Sequence, residues 1–487
     1  MGGLSGQMLL DIQHELLVDN FCGGGGASEG IYLALGRDVD VAINHCEQAI
    51  RMHEVNHPQT RHERADVFEV DPNEVTDGRP VGLVWLSPDC RHFSRAKAGR
   101  PREKKIRSLP WVTLKWAGKK KPRVIVVENV VELQSWSRLV AMRDKDTGRV
   151  LRKDGSVAPA GERTALQDQL LGADKARSGT HFRRMVALLQ GMGYEVEYRE
   201  LTASDYGVPT TRKRVFLIAR CDGFPIVWPA VTHGHPESLK VQAKKLKAWR
   251  TAAECLDFGI PCKSVFLKKE DGQLVGVRRP LADATMARVG KGVVRHVVLA
   301  DKAFVVKGPN GLRGRATDAM SGGPGVIVAA LMVKHFGGVV GFGLHGEAMH
   351  TVTAKDHHAL VLVELTPVEE CGVQQLDESG MQDERCRAVQ SLLEKCAGPK
   401  VKGDPTLVKH QGQLYRITDI GMRMLKAREL YNAMGFPKDY VIGDDVSKGL
   451  SMTAEAQTRM VGNSVPPPLV KAIVEANCPE MAIRKAA

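Results

Sequence analysis

Short apolar runs alternate with amphipathic stretches along the first part of the chain. Apolar runs that predict strands cover residues 15–21, 39–43, 81–86 and 124–127, and helical spacing covers 29–35 and 47–55. Parallel strands need long crossover connections, usually helices, so this alternation is typical of a mostly parallel sheet covered by helices. The pattern therefore predicts an α/β fold with a Rossmann-like arrangement of strands and helices.

The spacing changes along the rest of the chain. Asp-Thr-Gly and Lys-Asp-Gly turns after Asp144 predict a surface hairpin, followed by a helix at 182–190 and a strand pair at 194–201 and 214–219. The pattern is then irregular, with short β-rich runs, through about residue 415, which indicates a separate module. The remaining predictions are a turn-rich loop at 398–412, a helix at 423–434 and a final helix at 466–476.

Composition narrows the class of protein. The chain has 487 residues, 43% of them hydrophobic and 26% charged, so it is globular and long enough for two domains. Neither an apolar run of membrane-spanning length nor a charged-then-apolar leader is present, which predicts a cytoplasmic protein without membrane contact. The ten cysteines are scattered without a Cys-x-x-Cys pair, so we expect neither a metal site nor a disulfide framework.

Positive charge is concentrated in one segment. The net charge is +13, and the segment from Arg91 to Arg123 alone holds 13 Lys or Arg residues and one acid, Glu103. Such a run is usually a solvated charged loop. This run, however, begins beside a cysteine that follows a predicted strand, where phosphate contacts would place a nucleic acid strand over that cysteine.

Cys90 and Glu128 stand at the ends of two predicted strands. Cys90 lies in Ser87-Pro88-Asp89-Cys90-Arg91-His92, and Glu128 is followed by Asn129 and Val130. Taken singly, the cysteine is explained as a small buried hydrophobic residue and the carboxylate as a cap or a lysine partner. Arg91 and His92 would lower the pKa of the thiol, and desolvation would keep the carboxyl protonated. Together the two groups predict a nucleophile and a proton donor.

A glycine-rich loop, Phe21-Cys22-Gly23-Gly24-Gly25-Gly26, joins the first predicted strand to a helix. Glycines let the backbone approach a ligand, and a helix N-terminus favours negative charge. The loop lacks the Gly-Lys-Ser/Thr ending of a P-loop, so a nucleotide, S-adenosylmethionine and a simple tight turn all stay open. His45 after the second strand, and Asp66 with Val67 after the third, stand where such a sheet presents ribose and adenine contacts.

Arg212 and Arg214 are two positions apart, so on a strand both side chains point to one face. That face would hold a carbonyl oxygen or a phosphate. A pair of this kind is also common as a surface ion-pair donor.

In order, these segments resemble the motif series of the DNA (cytosine-5)-methyltransferases, in particular phage and prophage enzymes with a Pro-Asp-Cys segment. The matching segments are Phe21 to Gly26, Pro88-Asp89-Cys90, Glu128-Asn129-Val130, Arg212-Lys213-Arg214, Arg423-x-Leu425-x-x-Arg428-Glu429 followed by Met434-Gly435-Phe436-Pro437, and Gly462-Asn463-Ser464-Val465. The order of six segments is far more specific than any one of them.

The resemblance implies S-adenosylmethionine as cofactor and double-stranded DNA as partner, with the target cytosine flipped into the pocket. Cys90 would attack C6, Glu128 would protonate N3, and Arg212 with Arg214 would hold the pyrimidine O2 and the nearby backbone. The segment from Arg91 to Arg107 would close over the DNA. The implied cofactor-binding residues are Phe21, Gly23, Gly25, Gly26, His45, Asp66, Val67, Asn463 and Ser464.

The resemblance also implies the organisation of the chain. Residues 1–225 and 421–487 would form the methyltransferase domain, with the C-terminal helix beside the N-terminal one. A mostly irregular or β target-recognition domain would be inserted at 226–420, and we expect the protein to be a monomer.

Three residues depart from the family pattern. Asp89 replaces a proline and would raise the pKa of the thiol, Thr210 replaces a glutamine, and His45 replaces a ribose-binding acid, for which Glu47 is a substitute. Other interpretations are a tRNA cytosine-5 methyltransferase, a non-catalytic DNA-binding relative and, more distantly, a nicotinamide oxidoreductase. The long middle module opposes the first, and intact Cys90 and Glu128 oppose the others.

Overall fold

The computed structural model describes residues 14–90, 107–306, 327–335, 341–371, 381–444 and 446–483. The chain forms two compact units. The first unit comprises Met1–Gly234 and Met434–Ala487, and the second comprises His235–Ala433. Within the described ranges, no helix has both the length and the apolar character needed to cross a bilayer.

The strands of the described residues are β1 (Leu16–Asn20), β2 (Val41–Ile43), β3 (Arg61–Glu63), β4 (Val81–Leu86), β5 (Val124–Asn129), β6 (Leu139–Ala141), β7 (Leu171–Ala173), β8 (Glu195–Thr202), β9 (Lys213–Arg220), β10 (His233–Gly234), β11 (Lys247–Ala248), β12 (Lys263–Ser264), β13 (Ile327–Lys334), β14 (His358–Pro367), β15 (Leu407–His410) and β16 (Gln413–Met424). The α-helices are α1 (Gly26–Leu35), α2 (Glu47–Asn56), α3 (Pro72–Val75), α4 (Val112–Lys119), α5 (Thr180–Gly191), α6 (Leu239–Gln242), α7 (Lys269–Leu274), α8 (Asp283–Val293), α9 (Val368–Cys371), α10 (Met381–Cys396), α11 (Ala427–Ala433), α12 (Ala454–Asn463) and α13 (Pro467–Asn477).

A seven-stranded sheet forms the centre of the first unit, in the order β3-β2-β1-β4-β5-β9-β8. The strands from β3 to β5 run parallel to one another, whereas β9 is antiparallel to both of its neighbours. Strands β1, β4 and β5 are buried along their whole length, because helices cover both faces of the sheet. This burial explains their uninterrupted apolar runs and confirms the predicted α/β fold.

Two apolar cores lie on the opposite faces of this sheet. On one face, Val18 lies in a core with Trp116 of α4 and Phe182 of α5. On the other face, Leu17 lies in a core with apolar residues of α1 and α13. Helix α13 packs directly on α1, since a Cβ added at Gly30 would lie 2.4 Å from Cβ of Val470. The predicted return of the C-terminal helix to the N-terminal one is therefore confirmed.

The additions to the sheet also follow the sequence pattern. Antiparallel bridges link residues 143 with 150 and 151 with 157, and β6 pairs with β7, which confirms the predicted hairpin region ahead of α5. Strands β8 and β9 form the predicted antiparallel pair.

The second unit is more regular than the sequence pattern predicts. Its sheet has the order β12-β16-β14-β13, with β15 also paired to β16. All ten residues of β14 are buried, and helices α8 and α10 contribute Val293 and Leu393 to the core beside Val361. A strand with one solvent-exposed face shows alternating apolar and polar residues, whereas a strand buried on both faces does not. The spacing of apolar residues therefore does not predict this sheet.

Two local predictions in this region are wrong. Residues Arg423 and Met424 end strand β16 rather than begin a helix, because they pair with Leu360 and Ala359 of β14, and α11 starts only at Ala427. The predicted loop at 398–412 contains β15, which takes its backbone hydrogen bonds from β16.

Candidate active site

The four predicted catalytic residues meet at one edge of the central sheet. Register pairs Leu86 of β4 with Val127 of β5, so the segment carrying Cys90 leaves the sheet beside Glu128. Strand β9 runs the other way and pairs Val215 with Asn129, which brings its first residues, and with them Arg212 and Arg214, to the same edge. The structure therefore brings these four side chains together.

Glu128 is buried and faces a guanidinium. The residue is 5% exposed, and Nε of Arg214 lies 3.2 Å from its Oε1, although Oε1 has no aligned hydrogen-bond donor among the described residues. Burial raises the pKa of Glu128 above its usual 4.5, against the lowering effects of Arg214, Arg212 and a hydrogen bond from Ser87. The carboxyl is thus in a setting that favours holding a proton.

Cys90 shares the same electrostatic surroundings. Burial is the main cause that raises the pKa of its thiol, Arg214 and Arg212 lower it, and Glu128 and Asp89 raise it further. Asp89 thus acts in the direction expected from the sequence. Arg91 and His92 lie outside the described residues, so their lowering of the thiol pKa stays a prediction. The arginines at 212 and 214 are cations near the thiol that the sequence assigned only to substrate contacts.

Asn129 links the two strand ends. Its Nδ2 donates to the carbonyl oxygen of Pro88 over 2.8 Å, and its Oδ1 accepts from the backbone N–H of Val130 over 2.9 Å. The amide therefore fixes the backbone two residues before Cys90 relative to Glu128. The sequence motif contained Asn129, but no spacing argument assigned it this positioning contact.

Arg212 is anchored from the other side. Only 3% of the residue is exposed, and Nη1 donates to the carbonyl oxygen of Gly462 over 3.1 Å. Its own carbonyl accepts from Ala203, while Thr210 is fully buried. The contact joins the Arg-x-Arg segment to the segment Gly462 to Val465, two motifs that are 250 residues apart.

The glycine-rich loop has the backbone that its composition predicts. Phe21, Gly23 and Gly25 have φ values of 72°, 55° and 87°, a left-handed region that favours glycine. A Cβ at Gly26 would lie 2.0 Å from Oγ of Ser464 and 2.4 Å from the carbonyl oxygen of residue 465, so Gly26 permits close packing. A Cβ at Gly23 would meet the carbonyl oxygen of Phe21 at 3.8 Å, an ordinary contact distance, so only its positive φ favours glycine there.

The loop region fits a polar ligand such as S-adenosylmethionine. Three buried atoms at or beside the loop, Oδ1 of Asp19, Oδ1 of Asn20 and Oγ of Ser464, have no hydrogen-bond partner among the described residues. Buried polar atoms of this kind are costly unless a ligand or water satisfies them. These oxygen atoms can accept hydrogen bonds from the donor groups of that cofactor.

The other predicted cofactor residues occupy different environments. Val67 is buried, Asp66 is half-buried and accepts from the backbone N–H of Phe68, and His45 and Asn463 are exposed. Glu47, the expected substitute for the ribose-binding acid, forms a surface ion pair with Arg64 over 2.9 Å. The carboxylate that the sequence analysis predicts as a ribose ligand is therefore bound to Arg64 in the structure.

The basic segment divides into two parts. Residues 91–106, which include most of the proposed closing loop, lie outside the described residues. In the remainder, Arg107 donates to the carbonyl oxygen of Ser137, Lys115 donates to that of Phe68, and Arg123 contacts Glu15, Asp222 and Glu480. Arg107, Lys115 and Arg123 thus bind partners within the chain, whereas phosphate contacts of residues 91–106 stay a prediction.

Comparison with known proteins agrees with this arrangement. Residues 17–143, 169–256 and 349–477 match the family model of the C-5 cytosine-specific DNA methylases. The match covers more than half of the chain, and the chain belongs to that family. Its members use S-adenosylmethionine as methyl donor.

Individual relatives carry related names. The chain is 26% identical over 222 residues to Type II methyltransferase M.AgeI of Thalassovita gelatinovora. The matched segment covers 44% of this chain but only 42% of that relative. This chain is 23% identical over 248 residues to M.AquIA of a Picosynechococcus strain, which covers 49% and 87% of the two chains. Among solved structures, a Spodoptera frugiperda DNMT2 mutant matches with 13% identity and a TM-score of 0.47, over 95% of this chain and 99% of that one.

Proposed function

We propose that this chain transfers a methyl group to C5 of cytosine in DNA, with Cys90 as the nucleophile and Glu128 as the proton donor. The observation that carries the proposal is the position of Glu128: buried, next to the strand end that bears Cys90, and facing the guanidinium of Arg214. A carboxyl whose pKa is raised by burial suits an acid that must hold its proton until the substrate arrives.

The reaction follows from the chemistry of these groups. The Cys90 thiolate forms a bond to C6 of the flipped cytosine, and the displaced π-electron pair is accommodated as N3 takes the proton of Glu128. C5 thereby becomes nucleophilic, and S-adenosylmethionine supplies the methyl group when bound. Loss of the C5 proton to a base, cleavage of the C6–S bond and return of the N3 proton to Glu128 then restore the aromatic ring and free Cys90.

The arginines have two tasks in this scheme. Arg214, paired with Glu128, and Arg212, anchored on Gly462, would hold the O2 side of the pyrimidine and the adjacent backbone. Their positive charge also opposes the effect of burial on the thiol, so they favour the thiolate needed for attack.

The cofactor assignment rests on the loop from Phe21 to Gly26 and on Ser464. The unsatisfied Oγ of Ser464 supports a direct contact there, while His45, Asp66, Val67 and Asn463 are proposed to contact the rest of the cofactor. We further propose that the enzyme works as a monomer on double-stranded DNA in the cytoplasm. The four catalytic residues all belong to one chain, which is what a monomeric enzyme requires, and the family supports the DNA substrate.

The test is methyl transfer to DNA by purified wild type and variants, with bisulfite sequencing to read the modified carbon and its sequence context. We expect Cys90→Ser to abolish transfer while binding DNA, and Cys221→Ser, at the opposite end of β9, to retain it. Equal turnover by Cys90→Ser and wild type would end the assignment of the nucleophile. Methyl transfer to tRNA but not to duplex DNA would show that the substrate is tRNA and contradict the DNA assignment.

A further inference from the structure

Helix α2 approaches the glycine-rich loop with polar side chains that the sequence did not mark. His53, on the buried face of the helix, contacts the first turn of α1, and Asn56 contacts the segment around Tyr440. Tyr440 in turn reaches the loop itself. Two separate sets of contacts therefore run from α2, one to Asp19 and one to the glycine-rich loop proposed to hold the cofactor.

The first set of contacts ends on Asp19, two residues before the loop. Ser28 Oγ donates to Asp19 Oδ2 over 2.7 Å, and Nε2 of His53 lies 2.8 Å from the same hydroxyl. A serine has one proton to donate, so His53 must be the donor to Ser28 when Asp19 is ionised. Nδ1 of a neutral His53 then accepts from Nε2 of His62, 2.8 Å away.

The protonation states agree with this direction. Burial lowers the pKa of His53 well below its usual 6.5, and two neighbouring histidines, His57 and His62, lower it further, so the ring is neutral at neutral pH. Burial raises the pKa of Asp19 to about 6, which leaves it mostly ionised at neutral pH. A neutral His53 can therefore accept from His62 at Nδ1 and donate to Ser28 at Nε2.

The second set of contacts ends on the loop carbonyl of Gly24. The side-chain amide of Asn56 donates to the carbonyl oxygen of Val441 over 2.9 Å and accepts from the N–H of Val441 over 2.8 Å. This pairing fixes the backbone next to Tyr440, whose hydroxyl donates to the carbonyl oxygen of Gly24 over 2.7 Å. The hydroxyl lies 2.1 Å from where a Cβ of Gly25 would stand, so loop and tyrosine are in close contact.

We propose that His53 and Tyr440 are positioning residues for S-adenosylmethionine, which hold the glycine-rich loop and the buried carboxylate of Asp19 in the conformation that binds the cofactor. This inference rests on the proposed function. Buried polar groups of this kind add little to stability compared with apolar packing, but they select one arrangement of the backbone. A loop held in advance binds with less entropic cost.

The chain offers a matched pair of tyrosines for the test. Tyr440→Phe removes the bond to Gly24, and Tyr194→Phe removes a similar buried bond to the carbonyl oxygen of Pro122, at the other edge of the sheet. We expect Tyr440→Phe to weaken S-adenosylmethionine binding about fivefold in calorimetry, the size of one hydrogen bond. Its KM for the cofactor should rise with kcat unchanged, as expected when uniform binding is lost. Tyr194→Phe should change neither.

Variants at His53 provide an independent measurement. His53→Leu leaves Ser28 and His62 without this partner, and we expect a loss of about tenfold in cofactor affinity, whereas His53→Gln, which keeps a donor, should lose less than about threefold. An unchanged dissociation constant in Tyr440→Phe, an equal loss in Tyr194→Phe, or no difference between the two His53 variants overturns the proposal. Should Tyr440→Phe fail to fold, the His53 pair decides alone. Direct binding does not need methyl transfer, so a wild type that binds the cofactor but leaves DNA unmodified contradicts only the proposed function.

Discussion

The guanidinium Nε of Arg214 lies 3.2 Å from Oε1 of Glu128, and 13% and 7% of the two side chains are exposed. The pair stands beside Cys90, so one cation lowers the pKa of both the thiol and the carboxyl while burial raises both. The protonation state of the site is therefore set by a balance between desolvation and Arg214.

Removal of that cation should make the thiol harder to ionise. In Arg214→Gln, we expect the pH midpoint for alkylation of Cys90 by iodoacetamide to move upward, because burial then acts on the thiol with less opposition. Peptide mass spectrometry isolates Cys90 from the other cysteines. Arg199→Gln, at a side chain 56% exposed on β8, is the control and should leave the midpoint in place. A downward movement in Arg214→Gln would show that this cation does not stabilise the thiolate.

Removal of the acid should slow the reaction without removing the site. We expect Glu128→Gln to reduce the single-turnover rate of methyl transfer about 10²–10⁴-fold, the usual contribution of acid catalysis. DNA affinity should stay close to that of wild type. Glu195→Gln, on the exposed edge strand β8, should transfer at the wild-type rate. If Glu128→Gln is less than about threefold slower than wild type, N3 receives its proton from another group.

Replacing two helical glycines by alanine should change the free energy of unfolding in opposite directions. Gly30→Ala places a Cβ 2.4 Å from Cβ of Val470 and 2.6 Å from the carbonyl oxygen of Pro467, so it must push α13 away from α1. We expect a loss of about 1–3 kcal/mol or more in the free energy of unfolding. Gly118→Ala in α4 meets nothing within 4 Å and should gain about 0.5–1 kcal/mol. Urea unfolding measures both, and a destabilised Gly118→Ala or a neutral Gly30→Ala would contradict the packing.

A buried carboxyl in the second unit should make its stability depend on pH. Burial raises the pKa of Glu364 from 4.5 to about 7, although a hydrogen bond from Thr418 lowers it. A raised pKa in the folded state means that folding favours the protonated acid, so this contribution is complete below pH 4.5 and is lost as the pH rises to about 7. Across that interval wild type should lose up to about 3 kcal/mol through this group.

Glu364→Gln isolates that effect. The variant should lose less stability than wild type between pH 4.5 and 7, while Glu394→Gln, at an exposed position of α10, should follow wild type. Chemical unfolding at several pH values provides the comparison. Parallel curves for wild type and Glu364→Gln would show that Glu364 titrates normally in the folded protein.

Most strands of the first unit can be predicted from the sequence, because each is marked by a pattern of neighbouring residues. Fully buried strands such as β4 and β5 give apolar runs, and the residue after each run is placed at the sheet edge by parallel topology alone. The pattern of residues was therefore sufficient to place Cys90 and Glu128 at that edge. It did not predict the ion pair between Glu128 and Arg214, since that pair depends on β9 entering the sheet antiparallel.

The remaining features depend on contacts between distant parts of the chain. Arg423 forms a double hydrogen bond with Glu429 from the end of a strand, which spacing alone had assigned to a helix. Tyr440 meets Gly24 across 416 residues, and no local pattern marks such a pair. Basic residues 107, 115 and 123 resembled a phosphate-binding run only because a sequence does not show which cations have partners within the chain.

Covalent capture at Cys90 tests the central claim most directly. A duplex that carries 5-fluorocytosine at the target position cannot lose a proton from C5 after methylation, so elimination stops and the C6–S bond persists. Incubation with S-adenosylmethionine should give a denaturant-resistant complex of enzyme and DNA, with the Cys90 peptide carrying the modified nucleotide, and Cys90→Ser should give none. An active wild-type preparation that forms no such complex, or forms it through another residue, would contradict catalysis by Cys90.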